Sequence, residues 1–228
     1  MVRAAGIAIS FDRVAEGLAA VRDRIERAGG GSDVVVLAVT KGFGPDAIEA
    51  AVAAGCERIG ENYAQELLAK LADVSGPRPE VHFICQLQSR KVRTLAGVVD
   101  VWQTVDRPVL VDELAKRAPG ARVMVQVNVT DEPQKAGCAP TDAPALVAAA
   151  RDAGLAVDGL MTVGRAGPPE GSRAGFRELR TLADRLGVRH CSMGMSEDLE
   201  VAVSEGSTMV RVGTALFGHR PPPLDPPK

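Results

Sequence analysis

The chain has 228 residues, 46% of them hydrophobic and 25% charged, which is material for a sizeable core and excludes a largely disordered protein. A formal charge of −2 offers no basic surface on which a nucleic-acid partner would dock. The four cysteines contain no C-x-x-C pair and the three histidines no H-E-x-x-H, so neither a metal centre nor a disulfide framework is signalled.

Phe11, Val14, Leu18, Val21 and Ile25 are spaced as one helical face and interleaved with charges, an amphipathic N-terminal helix rather than a secretory leader. A cytoplasmic protein is expected, with no membrane partner, since no apolar run is long enough to span a bilayer. Strands are then predicted at residues 34–40, 58–61, 81–85, 98–104, 122–128, 157–163, 190–194 and 209–213. Helices are predicted among them at 45–54, 63–71, 88–95, 107–117, 143–153, 171–186 and 197–204, with Pro45 and Pro108 in first turns, where a fixed φ is tolerated. Continuous apolar strands joined by helices mean a parallel sheet covered on both faces. Eight such repeats predict an α/β protein of the (β/α)8 TIM barrel type, with a doubly wound open sheet as the structural alternative. One domain over residues 1–220 is expected, then a Pro-rich disordered tail, 221–228, that can continue neither a helix nor a ladder.

Either architecture places its chemistry at the carboxyl ends of the strands. Lys41, one of only six lysines, stands there directly after the first strand. An amine held against apolar neighbours loses hydration, which favours its neutral form and suits imine chemistry with an aldehyde; a strand-end lysine pointing into water is the plainer reading. Lys70 and Lys116, by contrast, fall in amphipathic stretches where a solvated ammonium needs no special explanation. Met193, Gly194 and Ser196 follow the seventh predicted strand, and Arg211, Gly213 and Thr214 lie at the end of the eighth. Ser196 is expected at a helix N-cap, where free N–H groups favour an anion, while Gly213 admits close backbone approach and Thr214 adds a hydroxyl. The alternatives are a plain helix cap and an incidental loop threonine. A reactive lysine and a phosphate cradle at one barrel mouth meet the requirements of pyridoxal 5′-phosphate. Arg211, if it faces the pyridine nitrogen, can only donate to it, leaving the ring unprotonated and a weak electron sink; a buried salt bridge to Glu61 is the alternative.

The segments Ala38-Val39-Thr40-Lys41, Gly60-Glu61-Asn62-Tyr63-Ala64-Gln65-Glu66, His82-Phe83-Ile84, Lys135-Ala136-Gly137, Ser192-Met193-Gly194-Met195-Ser196 and Gly206-Ser207-Thr208-Met209-Val210-Arg211-Val212-Gly213-Thr214 carry a resemblance. From its N-terminal helix to about Arg220, the chain resembles the pyridoxal-phosphate homeostasis proteins. That resemblance implies the single-domain barrel of the alanine-racemase N-terminal type, pyridoxal-phosphate fold type III, with pyridoxal 5′-phosphate as cofactor. It implies that Lys41 forms a Schiff base, that Ser196, Gly213 and Thr214 hold the phosphate with nearby backbone N–H groups, and that Arg211 meets the pyridine nitrogen. Asn62 would approach the ring or its phenolic oxygen, and Met193 and Gly194 would line the pocket. Cys85 departs from the family pattern, which usually has glycine there, and puts a thiol near the mouth.

The resemblance further implies a monomeric carrier without strong turnover, one that delivers the cofactor to apo-enzymes and supports amino- and keto-acid balance. Related racemases take a tyrosine from a second domain of a partner subunit as their second acid/base, whereas the single tyrosine of this chain, Tyr63, falls in the second βα loop. Two other readings stand beside it: a small racemase-like enzyme acting on amino acids, and a sugar-phosphate barrel using Lys41 as an aldolase-type amine. Lys91 and Lys135, placed in loops on the same side, are either second aldehyde sites, phosphate-steering charges or solvated loop lysines.

Overall fold

The computed structural model describes residues 9–130 and 132–220, so the predicted tail at 221–228 lies outside the described residues. Eight parallel strands close into a barrel in sequence order, β8 pairing with β1. The strands are β1 (Val35–Val39), β2 (Arg58–Glu61), β3 (Glu80–Phe83), β4 (Val101–Val105), β5 (Arg122–Gln126), β6 (Ala156–Met161), β7 (His190–Ser192) and β8 (Met209–Val212). Helix α1 (Phe11–Arg27) precedes them; α2 (Pro45–Ala53), α3 (Ala64–Asp73), α4 (Ser89–Leu95), α5 (Pro108–Arg117), α6 (Ala143–Asp152), α7 (Arg173–Leu186), α8 (Leu199–Ser204) and α9 (Thr214–Phe217) follow β1 to β8 in turn.

Where expectation and structure differ, local hydrogen bonds are the reason. The predicted strand at 98–104 begins only at Val101, because the N–H groups of Val98 and Val99 both go to the Leu95 carbonyl at the end of α4. The seventh strand stops at Ser192, since Gly194 takes φ +92° and turns the chain away. Residues 169–172 form a separate 3-10 turn before α7, and α9, four residues long, is too short to leave a period in the sequence.

Helix α1 is started by the Ser10 hydroxyl, which accepts from the Arg13 N–H at 3.3 Å, and buries Val14, Val21 and Ile25. It packs on α9 so closely that a Cβ on Gly17 would lie 2.6 Å from the Ala215 carbonyl oxygen. The last strand's helix is thereby tied to the first, and β8 to β1, on the outside of the barrel. Inside, Leu37, Val101, Met124, Met161 and Met209 make an apolar layer, and Gly60 leaves the space that Leu37 and Ile84 fill.

The amino end of the barrel is closed by ions rather than by apolar packing. Glu80 accepts from Arg58 (3.0 Å), Arg122 and the buried His82 (2.8 Å), and Arg122 also reaches Asp158 at 2.7 Å. The His82 hydrogen bond and then the Arg122 guanidinium hold the Glu80 carboxyl well below the usual carboxylate range. Because its folded pKa is depressed, Glu80 stabilises the fold above its ordinary value of 4.5, and that stability is lost as pH falls through the folded value. Glu80→Gln is expected to cost about 2 kcal/mol in urea unfolding at neutral pH, with the difference from the parent narrowing as the pH is lowered.

Candidate functional site

Lys41 sits at a corner. The Phe43 N–H donates to the Thr40 carbonyl at 3.1 Å and Gly42 has φ +77°, the pattern of a type II turn with Lys41 at its second position. Its side chain is half-buried. Burial, then the Arg220 charge, lowers the pKa of the amine, Arg211 adds to the effect, and Cys85 and Glu61 oppose it. Lys41 is thus partly desolvated rather than fully solvated.

Beside it, Lys70 corrects an expectation. It is not a solvated helix lysine: it is 5% exposed, and its ammonium donates to Glu61 (2.7 Å), Glu66 (2.5 Å) and the Thr40 carbonyl (2.6 Å). Glu61 also accepts from the Thr40 hydroxyl at 2.6 Å. Burial pushes the Glu61 carboxyl up, and Lys70 pulls it back. Glu61, the alternative partner for Arg211, thus pairs with Lys70 through its Oε1, while its Oε2 has no partner among the described residues. A fully buried carboxylate on the neighbouring strand is the signal by which the sequence could have shown that Lys70 turns inward. Next to Glu61, the Oδ1 of Asn62 is buried with no partner among the described residues, an acceptor still in want of a donor.

Arg211 is 4% exposed and makes no ion pair with an acid among the described residues. It donates to the Ser192 carbonyl (2.7 Å), the Ser192 hydroxyl (3.0 Å) and the Thr162 carbonyl (2.7 Å), which occupies three of its five N–H bonds and leaves two for another acceptor. Burial pushes its pKa down to about 10, Asp198 acting against the shift. Behind it a chain of hydrogen bonds runs along the barrel interior. The Ser192 hydroxyl donates to the Gln103 Oε1 (2.7 Å), the Gln103 Nε2 meets the His82 Nδ1 (2.6 Å), and the His82 Nε2 meets Glu80. Burial lowers the His82 pKa, with Glu80 acting against the shift, and in the Nε2–H tautomer that the Gln103 amide at Nδ1 calls for, every donor in the chain points from Arg211 towards Glu80.

The loops after β7 and β8 meet, though not as predicted. Ser196 is not the N-cap of α8; that position belongs to Asp198, which makes no side-chain bond to the helix, its carboxylate turning back to accept the Met195 N–H at 2.6 Å. The Ser196 hydroxyl instead reaches the Ala215 N–H (3.4 Å) in the first turn of α9, across from Gly213 and the exposed Thr214. Two neighbouring glycines are required by close approach: a Cβ on Gly194, already at positive φ, would lie 2.5 Å from that of Ala202, and one on Gly213 would lie 3.2 Å from the Val39 carbonyl oxygen. Met193 is fully buried and packs in the main core cluster.

All eight predicted residues lie on one contiguous arc of the mouth, at the carboxyl ends of β7, β8, β1 and β2, with Arg211 itself within β8. Lys91 and Lys135 do not join them. Lys91 lies within α4 rather than in a loop, and Lys135 is held by Glu132 (2.5 Å) and the Gly164 carbonyl (2.5 Å) beside a cleft that Met195 and Asp198 also line. Tyr63 immediately precedes α3 and is 53% exposed at the rim.

Residues 9–221 match the sequence family described as alanine racemase, N-terminal domain. Pyridoxal phosphate homeostasis proteins of Pseudomonas aeruginosa and Aquifex aeolicus are 40% and 37% identical to the chain, over 91% and 92% of its length and 96% and 97% of theirs. The chain belongs to this family. PipY of Synechococcus elongatus, whose structure has been solved with pyridoxal phosphate bound, superposes with a TM-score of 0.79 at 32% identity, covering 90% of this chain and all (100%) of that one. Alanine racemase of Corynebacterium glutamicum shares the fold, with a TM-score of 0.73 at 18% identity over 96% of this chain and 64% of the racemase.

Two outcomes are expected of a family member with this interior. At pH 6.5, its ordinary midpoint, the His82 ring should remain mostly in the neutral Nε2–H form by nitrogen NMR. Gln103→Leu should cost about 2 kcal/mol in thermal or urea unfolding, because it leaves the buried Ser192 hydroxyl proton without an acceptor and the His82 Nδ1 without a donor.

Proposed function

We propose that this barrel mouth binds pyridoxal 5′-phosphate and that the protein holds and hands on the cofactor rather than turning over a substrate. The observation that carries the proposal is the pairing, on one arc, of a half-buried amine of lowered pKa with a buried guanidinium that keeps two N–H bonds free. The residues present fit the group. Asn62 would approach the ring or its phenolic oxygen, its unpartnered Oδ1 accepting from the phenolic hydroxyl, and the Ser196 hydroxyl at the first turn of α9, beside Gly213 and the exposed Thr214, would meet the phosphate. When bound, the cofactor supplies a conjugated aldehyde that condenses with primary amines.

In this reading Lys41 holds the cofactor as a Schiff base. Ser196, Gly213 and Thr214, with nearby backbone N–H groups, hold its phosphate, and Met193, whose side chain is buried in the core, and Gly194 line the pocket through their backbone. Arg211 donates to the pyridine nitrogen. A guanidinium fixed by two strand-end carbonyls has no proton to give up, so the nitrogen stays unprotonated and amino-acid carbanions gain little stabilisation. That favours a carrier over a racemase-like enzyme, as do the names of the relatives, which the chain covers almost end to end. The proposal extends to a cytoplasmic monomer that supplies apo-enzymes with the cofactor and so supports amino- and keto-acid balance.

The test is the near-visible spectrum of the purified protein with added pyridoxal phosphate, followed by borohydride reduction and peptide mapping. A reducible band with the label on Lys41 is expected; a label on Lys91 or Lys135 alone overturns the assignment. Lys41→Ala should abolish the band, and Arg211→Gln should weaken binding about tenfold, or about 1.4 kcal/mol. Incubation with common amino acids in deuterium oxide should give no exchange of their α-hydrogens; rapid exchange of any one of them would replace the carrier with an enzyme.

A further inference from the structure

Two residues of α3 grip the turn that carries Lys41. The Lys70 ammonium donates to the Thr40 carbonyl at 2.6 Å, the same oxygen that closes the turn by accepting from Phe43. Glu66 accepts from the Gly42 N–H at 2.5 Å and from Lys70 at 2.5 Å. The peptide units on both sides of Lys41 are therefore bonded to one cluster, which Glu61 anchors to β2. The peptide between Lys41 and Gly42 matters most. Types I and II turns differ by a flip of that peptide, and a flip would swing the Gly42 N–H off Glu66 and carry the Lys41 carbonyl to the opposite face of the turn, changing the backbone dipole beside the amine. Glycine at φ +77° allows the type II form, but glycine is equally at ease elsewhere, so the side-chain grip selects the state.

We infer that Glu66 and Lys70 are positioning residues for Lys41: by holding the peptide units before and after it, they fix the backbone from which the amine is presented to an aldehyde bound at the mouth. The inference rests on the reading of Lys41 as the bonding amine. In that bond the neutral amine adds to the carbonyl carbon, and its two N–H protons leave with the carbonyl oxygen as water. The grip acts on the approach of the nitrogen, not on the groups around the ring and phosphate. Because α3 lies outside the strands, it can do this without entering the pocket.

The two roles separate with a pair of ligands on the full chain. Pyridoxal 5′-phosphate reports bond formation through its absorbance, and pyridoxine 5′-phosphate, which bears an alcohol in place of the aldehyde, reports only the ring and phosphate contacts. Glu66, 27% exposed, can be changed with little risk to folding, whereas Lys70→Met would strand the fully buried Glu61. Glu66→Ala is expected to slow appearance of the band tenfold or more and to leave pyridoxine 5′-phosphate affinity within twofold. Glu66→Gln, whose amide oxygen can still accept from Gly42, should restore most of the rate. A Glu66→Ala rate within twofold of the parent overturns the inference, and so does a parallel loss of pyridoxine 5′-phosphate affinity, which would mean that the cluster only holds the mouth together. Borohydride labelling of the parent protein away from Lys41 would instead overturn the underlying reading, and the positioning role with it.

Discussion

A guanidinium with no carboxylate partner among the described residues is buried in the wall of this barrel, and much of the surrounding structure is arranged to keep it there. Removing an unpaired cation from water costs several kcal/mol even after relaxation. Arg211 recovers that from two carbonyls at the ends of β6 and β7, Thr162 and Ser192, which the strand pairing beside β8 sets next to each other. The hydroxyl of Ser192 passes the polarity on through Gln103 and His82 to Glu80, so that a carboxylate answers the cation from the opposite end of the barrel. Aligned donors strengthen one another in a medium of low dielectric, and a single reversed member would leave a buried group unpaired. Neutral His82 is a requirement of that direction: protonated, it would aim an N–H at the Gln103 amide nitrogen.

The amine and the guanidinium stand in different electrostatic settings although both lie on the same arc. Arg211 is charged whatever its surroundings do, and its lowered pKa of about 10 leaves it cationic at neutral pH. Lys41 has a neutral form within reach, and burial with two nearby arginines favours that form. One site thus combines a permanent donor with an adjustable nucleophile. The third cation, Lys70, is neither: with three acceptors for its three N–H bonds, it is a structural ion that ties α3 to the end of β1.

The pattern of apolar strands and intervening helices was legible because periodicity depends on which faces are buried, and a parallel barrel buries both faces of every strand. The positions of Lys41, Asn62, Arg211, Gly213 and Thr214 followed from it, since they stand at strand ends. Ser196 was placed correctly on the mouth but given the wrong partner. A serine before a helix and an aspartate two residues later are equally plausible caps in one dimension, and only the fold shows that Asp198 turns back to Met195 while Ser196 crosses to α9. Lys70 was misread for a similar reason: its helix is amphipathic, but which face meets Glu61 depends on how α3 packs on β2.

By itself, then, the order of residues determined the architecture, the end of the barrel where chemistry lies, and the residue types gathered there, because each of these follows from local spacing and burial. The interior chain from Arg211 to Glu80 joins residues of β8, β7, β4 and β3 that are far apart in sequence. The grip of α3 on the Lys41 turn likewise joins β1, β2 and α3. These were decided by tertiary structure alone, since a hydrogen bond between distant residues has no period and leaves no spacing to read; it exists only once closure of the barrel has set the distance and the direction.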